Sequence, residues 1–333
     1  MPQRHNSFAT FMLVLLASAS ACGAQQKPAR AQRAEYWGFT GPWEAASDSA
    51  VVRHGRALDV VVTGWIGLDS ATALPLLPSP YPDTLLSKSR TPRRMAIVTS
   101  WHADRFHPRT IRRLAATPQL LATTARTIAD HAASVGYSGL VMDFESLEES
   151  DVAAQVTVIR AIADAARARG VKQIAVAIPA MDTIGYPIKP LLAVADYVIV
   201  MLYDQHWTGS EPGPISDPAW VKSALARRIV EGGADHIVVG LPTYAYRWIP
   251  GKPTEILGYR EAVALAKKQG VSLKRDKATA TLRARKPGAW DMWITDAALT
   301  ARLIRDARAA GVHRFALWRL GQEDPAIWAA LRR

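Results

Sequence analysis

Two acidic residues, Asp143 and Glu145, are separated by a single residue at the end of an apolar run. Side chains alternate between the two faces of a strand, so these carboxyl groups share one face and Met142 and Phe144 share the other. Neighbouring carboxyl groups in a partly apolar setting resist double ionisation, so one can stay protonated as a general acid beside an anionic partner. The spacing therefore predicts an acid–base pair; the alternative is a pair of solvated charges on a surface loop.

Aromatic and polar side chains follow three other apolar runs. Flat aromatic faces stack on sugar rings, and the polar tips of Tyr and Trp bind sugar hydroxyl groups. Taken singly, each aromatic residue is more simply explained by packing in a core, so only the set as a whole indicates a carbohydrate site. Its members are Tyr203, Asp204, His206, Trp207, Tyr244 and Trp318.

Metal and serine chemistry find little support in the sequence. His102 and His206 have no Asp or Glu at a spacing that would complete a metal triad, so we expect no metal. The GxSxG elbow of serine hydrolases is absent, which argues against a Ser–His–Asp enzyme.

The elements that must position these side chains are eight short runs rich in apolar and β-branched residues. Several are almost wholly apolar, which is typical of strands buried on both faces of a parallel sheet. The runs are Tyr36–Trp43, Leu58–Leu68, Arg94–Trp101, Gly139–Leu147, Gln173–Met181, Tyr197–Tyr203, His236–Tyr244 and His313–Leu320.

Helical patterns lie between most of these runs. Eight strands with intervening helices predict an α/β fold, a (β/α)8 TIM barrel, whose chemistry sits at the C-terminal ends of the strands. An open doubly wound sheet is the alternative, but no GxGxxG turn follows the first run. The predicted helices are Pro118–Gly136, Asp151–Gly170, Ile188–Ala195, Trp220–Glu231 and Thr295–Gly311.

A longer stretch, about residues 247–292, separates the seventh and eighth runs. Its patterns predict a helix over Gly258–Gly270 and strands over Thr279–Arg285 and Ala289–Ile294. We expect a small α+β insertion on the C-terminal rim of the barrel.

The composition of the 333-residue chain is that of a globular protein, with 49% hydrophobic and 21% charged residues. It excludes a mostly disordered chain, a collagen-like repeat and a polytopic membrane protein. A single cysteine excludes an intrachain disulfide framework and multi-cysteine metal sites.

The net charge of +12 favours an acidic partner, such as an anionic cell-wall polymer or an anionic membrane surface. Basic clusters occur at Arg105–Arg113, Lys267–Lys277 and Arg283–Lys286. No aromatic residues interleave with them in a nucleic-acid-binding pattern, so we expect no nucleic-acid partner. Each cluster is either a solvated face or a contact with an anionic surface.

The N-terminus has the pattern of an export signal. Residues 1–21 contain Arg4, an apolar run over Phe8–Ala17 and then small residues, which predicts a signal peptide. Cys22 follows at the position of the acylated cysteine of bacterial lipoproteins, although ordinary cleavage after Ala21 or Ala24 is the alternative. Residues 22–34 predict a flexible tether, and 35–333 the barrel domain. We expect an exported protein of the cell envelope, periplasmic or extracellular, with the membrane contacted only through a lipid anchor.

Taken together, these motifs resemble glycoside hydrolase family 18, the chitinase-like barrels, over about residues 35–330. The fourth-strand motif of that family, DGxDxDxE, aligns with Ser138–Glu145. The long strings around Trp207 and Trp318 resemble a bacterial branch that includes cell-wall and spore-cortex hydrolases. Further family positions match Met201, Tyr203 and Asp204 on the sixth strand, Gly240, Leu241, Pro242 and Tyr244 on the seventh, and Trp318 on the eighth.

The resemblance implies a substrate-assisted, retaining glycosidase without a cofactor, acting as a monomer on a glycan that carries 2-acetamido groups. It assigns Glu145 as the catalytic acid and Asp143 and Tyr203 as the residues that orient the acetamido group. It also implies substrate binding by five further residues. They are Trp318, Asp204, Met201, Tyr244 and Trp207. The export signal and the basic charge favour an anionic envelope glycan such as peptidoglycan over chitin.

Two departures from the family motif concern the carboxylates. Ser138 replaces the first motif Asp, and Val141 replaces the Asp that ordinarily partners the position of Asp143. Asp143 and Glu145 remain, which is the minimum for the chemistry. The alternative is a catalytically weak or inactive, lectin-like barrel that binds glycan.

Overall fold

The structure, a computed structural model, describes Met1, residues 33–78 and residues 93–331. Apart from Met1, the predicted signal peptide 1–21 lies outside the described residues, as do Cys22 and nearly all of the tether. Within those ranges, no helix combines the length and apolarity needed to cross a membrane.

The strands are numbered here in chain order over the described residues. They are β1 (Glu35–Phe39), β2 (Val60–Leu68), β3 (Pro75–Leu76), β4 (Arg93–Thr99), β5 (Trp101–His102), β6 (Arg105–Phe106), β7 (Gly139–Asp143), β8 (Gln173–Pro179), β9 (Tyr197–Met201), β10 (Ile237–Pro242), β11 (Tyr244–Trp248), β12 (Glu255–Gly258), β13 (Lys274–Arg275), β14 (Leu282–Lys286), β15 (Trp290–Ile294) and β16 (Arg314–Trp318).

Helices lie between most of the strands. The α-helices are Ala45–His54, Pro108–Ala116, Pro118–Val135, Val152–Arg167, Ile188–Leu192, Pro218–Gly232, Tyr259–Lys268, Ala297–Ala309 and Ile327–Ala330.

Eight parallel strands close into a barrel, in the order β1, β2, β4, β7, β8, β9, β10 and β16, with β1 paired to both β2 and β16. The predicted (β/α)8 barrel is therefore confirmed. Most barrel strands end two to four residues before the apolar runs do, because the chain leaves the sheet there to form the loops at the barrel mouth.

Two apolar cores follow from the alternation of side chains along these strands. A large core lies between the barrel and its helices and includes Met142 and Phe144. A smaller core fills the barrel interior and includes Val141, Trp37 and Ile97. Because consecutive residues of β7 point to opposite cores, the position of Val141 places Asp143 on the inner face at the strand's end.

A bulge in β2 changes which face its residues occupy. The register against β4 shifts between Val62 and Gly64, so that Val62 lies in the inner core and Ile66 in the outer one. Trp65 turns inward as a result. Gly64 is required beside it, because a Cβ atom there would lie 2.3 Å from the hydroxyl oxygen of Tyr137.

The insertion between β10 and β16 contains a five-stranded antiparallel sheet in the order β12, β11, β15, β14, β13. The helix Tyr259–Lys268 packs Ala262 and Ala266 against one face of this sheet. The sheet runs from Tyr244 to Ile294, slightly beyond the predicted 247–292, because one residue alone separates β11 from barrel strand β10.

Candidate active site

The acidic pair lies where β7 ends, in the mouth of the barrel. Asp143 is the last residue of β7 and is 8% exposed, and Glu145 follows on the loop with its side chain partly open. The side chains of Asp143 and Glu145 are hydrogen-bonded to each other. Thr99, the register partner of Asp143 on β4, donates its hydroxyl to Asp143 Oδ2 at 3.1 Å.

Burial raises the pKa of both carboxyl groups, but not equally. The pKa of Asp143 is raised by burial to about 6, while the hydrogen bonds from Thr99 and Glu145 oppose that rise. Burial, the charge of Asp143, their mutual hydrogen bond and the charge of Asp204 raise the pKa of Glu145 well above its ordinary value. Their mutual hydrogen bond raises the pKa of Glu145 and lowers that of Asp143, so a proton shared by the pair is held preferentially on Glu145.

Tyr186 braces the turn that carries Glu145. Its hydroxyl donates to the carbonyl oxygen of Phe144 at 3.0 Å and accepts from the backbone N–H of Leu147 at 3.0 Å. Between these two anchors Ser146 adopts a positive φ of 60°. Because Tyr186 is 1% exposed, its hydroxyl has no competing water and fixes the turn from behind the catalytic pair.

Arg228 in turn fixes the loop that carries Tyr186. This fully buried guanidinium donates to four backbone carbonyl oxygens and to the carboxylate of Glu231. The four carbonyls belong to Pro179, Ala180, Asp182 and Tyr186. The loop after β8 is thereby held in one conformation, and its residues Met181 and Asp182 line the cleft.

Asp204 lies on the loop after β9 with a positive φ of 56°. It is close enough to the acid–base pair for its charge to raise the pKa of Glu145. Tyr244 and Tyr246 both donate their hydroxyls to Asp204 Oδ1, at 2.5 and 2.8 Å. Desolvation in the cleft raises the pKa of Asp204, and these two hydrogen bonds oppose the rise. Desolvation also raises the pKa of the neighbouring Tyr203, which keeps its proton and remains a hydrogen-bond donor at the mouth.

A cavity of about 840 Å3 opens above these groups. Its walls are rich in aromatic rings, and Trp65 contacts both Trp43 and Trp318, with ring centroids 5.0 and 6.0 Å apart. Trp101 lines another part of the wall and stacks edge-on with Phe106. A volume of this size with flat apolar walls and a few converging polar groups suits a chain of sugar rings.

The structure brings six of the predicted site residues together in this cavity and leaves two outside its lining. Those inside are Asp143, Glu145, Met201, Tyr203, Asp204 and Trp318. Tyr244 is 3% exposed and donates its hydroxyl to Asp204, and its contact with substrate stays a prediction. Trp207 is 54% exposed on the loop after β9 and does not line the cavity, and its contact with substrate stays a prediction.

Sequence reasoning missed several residues that line or support the cleft. Trp220, at the start of a helix, and Asp182 and Asp104, on loops, carried no pattern that distinguished them from surface residues. Trp43 and Trp101 stood at the ends of predicted strands, which was a usable signal for a position on the rim. The supporting residues Thr99, Tyr186 and Tyr246 act through contacts between elements distant in sequence.

The described part of the chain shows no candidate metal site beside the acid–base pair. Among the described residues no group of three or more His, Cys, Asp and Glu side chains is placed to hold a metal ion.

Comparison with known proteins places this site in a family. The family described as Glycosyl hydrolases family 18 matches residues 36–323. The uncharacterized glycosylase YvbX of Bacillus subtilis is 27% identical over 214 residues, which make up 59% of this chain and 61% of that protein. The chain thus spans about six tenths of the length of that relative.

Solved structures share the fold, and two of them serve as examples. The spore cortex-lytic enzyme SleL of Bacillus cereus superposes with a TM-score of 0.80 at 18% identity, over 91% of this chain and 74% of that one. A chitinase from Chromobacterium violaceum gives a TM-score of 0.78 at 23% identity, over 90% of this chain and 98% of that one. Because the family match covers the barrel from β1 to the loop after β16, this chain belongs to glycosyl hydrolase family 18.

Proposed function

We propose that the protein is a glycosidase that hydrolyses β-linked polymers containing N-acetylglucosamine. The observation that carries this proposal is the carboxyl pair of Asp143 and Glu145, which lines an aromatic cleft and in which burial raises the pKa of both groups. Family membership supports it, as do relatives named as a chitinase and as a spore cortex-lytic enzyme.

The proposed reaction is substrate-assisted and retains the anomeric configuration. The carbonyl oxygen of the substrate's acetamido group attacks the anomeric carbon while Glu145 protonates the departing glycosidic oxygen. Asp143 accepts a hydrogen bond from the acetamido N–H and stabilises its developing positive charge. The resulting oxazolinium is opened by a water molecule whose proton returns to Glu145.

The side chains around the pair have supporting parts in this reaction. Tyr203 donates its hydroxyl to the acetamido oxygen, which aligns that oxygen with the anomeric carbon. Trp318 provides the surface on which the reacting sugar ring stacks. Val141 stands where the family motif has an Asp, and its side chain cannot form a hydrogen bond to Asp143. Thr99 forms such a hydrogen bond instead.

The charge of the cleft defines the substrate further. All charged residues that line it among the described residues are acidic: Asp104, Asp143, Glu145, Asp182 and Asp204. We therefore expect no anionic group on the sugars next to the cleaved bond, because such a group would meet several acidic side chains and no cation. The expected preference for an anionic glycan followed from the export signal and the net charge, and no cation in the described lining of the cleft supports it.

The test is digestion of N-acetylated chitin oligomers, their fully de-N-acetylated counterparts and purified peptidoglycan, with products read by mass spectrometry. We expect cleavage of N-acetylated chains and none of the de-N-acetylated ones. Efficient cleavage of the de-N-acetylated oligomers would exclude substrate assistance. Binding of N-acetylated chains without products would favour a lectin-like barrel, for which the loss of a carboxylate at Val141 is the specific observation.

We also propose that the protein is exported and attached to the cell envelope through an acylated Cys22. The support is the sequence pattern of residues 1–21 and the position of Cys22 directly after it. Metabolic labelling with a palmitate analogue tests this: we expect labelled protein in the membrane fraction and unlabelled protein from Cys22→Ser. An unlabelled parent protein found in the medium would indicate ordinary secretion.

A further inference from the structure

Two of the basic sequence clusters form a single surface on the insertion. Residues 267–286 contain eight Lys or Arg residues and one Asp, a net charge of +7 within a chain whose total is +12. The surface lies around β13, the edge strand of the insertion sheet, and is called here the basic edge. This short segment therefore has a large excess of positive over negative charge.

The antiparallel register of the sheet explains how the two clusters meet. Lys274 on β13 is the register partner of Arg283 on β14, and Arg285, two residues further, lies on the same face of the sheet. Together with Lys277 these residues surround a cavity of about 780 Å3. A concave site of this kind presents several cations to one ligand.

Some cations of the basic edge form ion pairs with carboxylates of the protein, and others have no partner among the described residues. The guanidiniums of Arg275 and Arg283 pair with Asp296 and Asp291, which fixes their positions. Lys274 and Lys277 are exposed, and neither side chain has a hydrogen bond or ion pair within the described residues. The two lysines thus remain available to an external anion.

The single acidic residue of the edge offers them little compensation. Asp276 accepts hydrogen bonds from the backbone N–H groups of Ala278 and Thr279 and from the Thr279 hydroxyl. These bonds hold the pKa of Asp276 below its ordinary value, and they orient its carboxylate toward its own turn. Three carboxylates in all, Asp276, Asp291 and Asp296, stand against eight Lys and Arg residues, so the basic edge keeps a net positive charge.

The surroundings of the basic edge favour a linear polyanion over a membrane. Proteins that bind bilayer surfaces add large apolar side chains that enter the headgroup region. No exposed large hydrophobic residue within the described ranges falls between 267 and 286. The lining contains no aromatic ring on which a nucleic-acid base could stack.

We propose that the basic edge is a docking site for a linear polyanion with repeating phosphate groups. This goes beyond the proposed hydrolysis, because no residue that lines the basic edge lines the catalytic cleft. The two sites therefore bind different ligands. The acidic cleft accepts amino sugars, and the basic edge binds chains that carry phosphate groups.

The test measures binding of the purified protein to long-chain inorganic polyphosphate and, separately, to phosphatidylglycerol vesicles. The affected variant is K274E/K277E/R285E, and K274A/K277A/R285A is the milder form if charge reversal impairs folding. The matched control is K189E/K222E/R227E, which makes the same change in net charge at exposed residues on two barrel helices. Turnover of short N-acetylated oligomers reports folding independently of polymer binding.

We expect the basic-edge variant to bind polyphosphate at least about tenfold more weakly than the parent, with oligomer turnover unchanged. The parent's affinity should fall about 20-fold as NaCl rises from roughly 50 mM to roughly 200 mM, since about three phosphate contacts release counterions. Equal losses in both variants, or none in either, would overturn the proposal and leave the charges as a guard against edge-to-edge sheet pairing. Tighter binding to vesicles than to polyphosphate would also overturn it, in favour of a membrane contact.

Discussion

Thr99 Oγ1 lies 3.1 Å from Asp143 Oδ2, and the two residues are register partners on adjacent barrel strands. The residue two before Asp143 is Val141, which packs in the apolar interior of the barrel and offers no hydrogen bond. Thr99 thus supplies from the neighbouring strand a polar contact that the family motif supplies from within β7. This contact keeps Asp143 able to ionise despite its burial.

Removal of the Thr99 hydroxyl should move the acidic limb of the activity profile. Asp143 must be ionised to accept from the acetamido group, so activity falls as pH decreases through its pKa of about 6. Thr99→Val removes a donor that lowers this pKa, so the acidic limb should move upward by about one pH unit. The profile of kcat/KM against pH measures the shift. Thr99→Ser keeps the hydroxyl and should match the parent; a Val variant with an unmoved limb would contradict the assignment.

Replacement of Asp143 should change how stability depends on pH. The pKa of Asp143 rises from 3.8 to about 6 on folding, so the folded protein binds the proton more tightly and loses unfolding free energy as pH increases between these values. Asp143→Asn removes this loss, on the order of 3 kcal/mol, and should raise Tm relative to the parent at pH 8 more than at pH 4. Thermal unfolding at both pH values measures it. The exposed Asp164→Asn is the control, and equal shifts in both variants would refute the explanation.

Loss of the Tyr186 hydroxyl should impair chemistry more than binding. Tyr186→Phe leaves the Phe144 carbonyl and the Leu147 N–H without their partner, which frees the turn that aims Glu145. We expect kcat to fall roughly tenfold, KM to change little and stability to fall by about 1–2 kcal/mol. Steady-state kinetics on N-acetylated oligomers separate the two parameters. A rise in KM at constant kcat would assign Tyr186 to substrate binding instead.

Two exposed tryptophans should differ in their effect on long substrates. Trp101 lines the cleft at 44% exposure, whereas Trp207 is 54% exposed outside the lining. Trp101→Ala should raise KM for hexasaccharides several-fold, since one lost stacking surface is worth about 1 kcal/mol. Trp207→Ala should leave KM unchanged. The opposite order would restore the role that the sequence alone predicted for Trp207.

The barrel was predictable because its strands are buried on both faces and stand out as apolar runs. The acid–base pair was equally accessible, because both carboxyl groups lie on one segment and strand alternation is enough to orient them. Tyr244 also followed a strand, but the sequence does not show that its hydroxyl turns back to Asp204 rather than toward the substrate.

Trp65 shows why the aromatic walls were harder to predict. Strict alternation from Val60 and Val62, both inside the barrel, would place Trp65 outside. The bulge between Val62 and Gly64 reverses the alternation and turns Trp65 into the mouth. A single inserted residue leaves no mark in the hydrophobic pattern, so this wall appears only in three dimensions.

Catalysis by Glu145 is the central claim, and turnover of an N-acetylated chitin hexamer by the parent and by Glu145→Gln tests it most directly. The amide keeps the size of the side chain but cannot transfer the proton, so turnover should fall at least about 100-fold while hexamer binding is retained. A variant that cleaves the hexamer at the parent's rate would contradict the assignment of Glu145 as the acid.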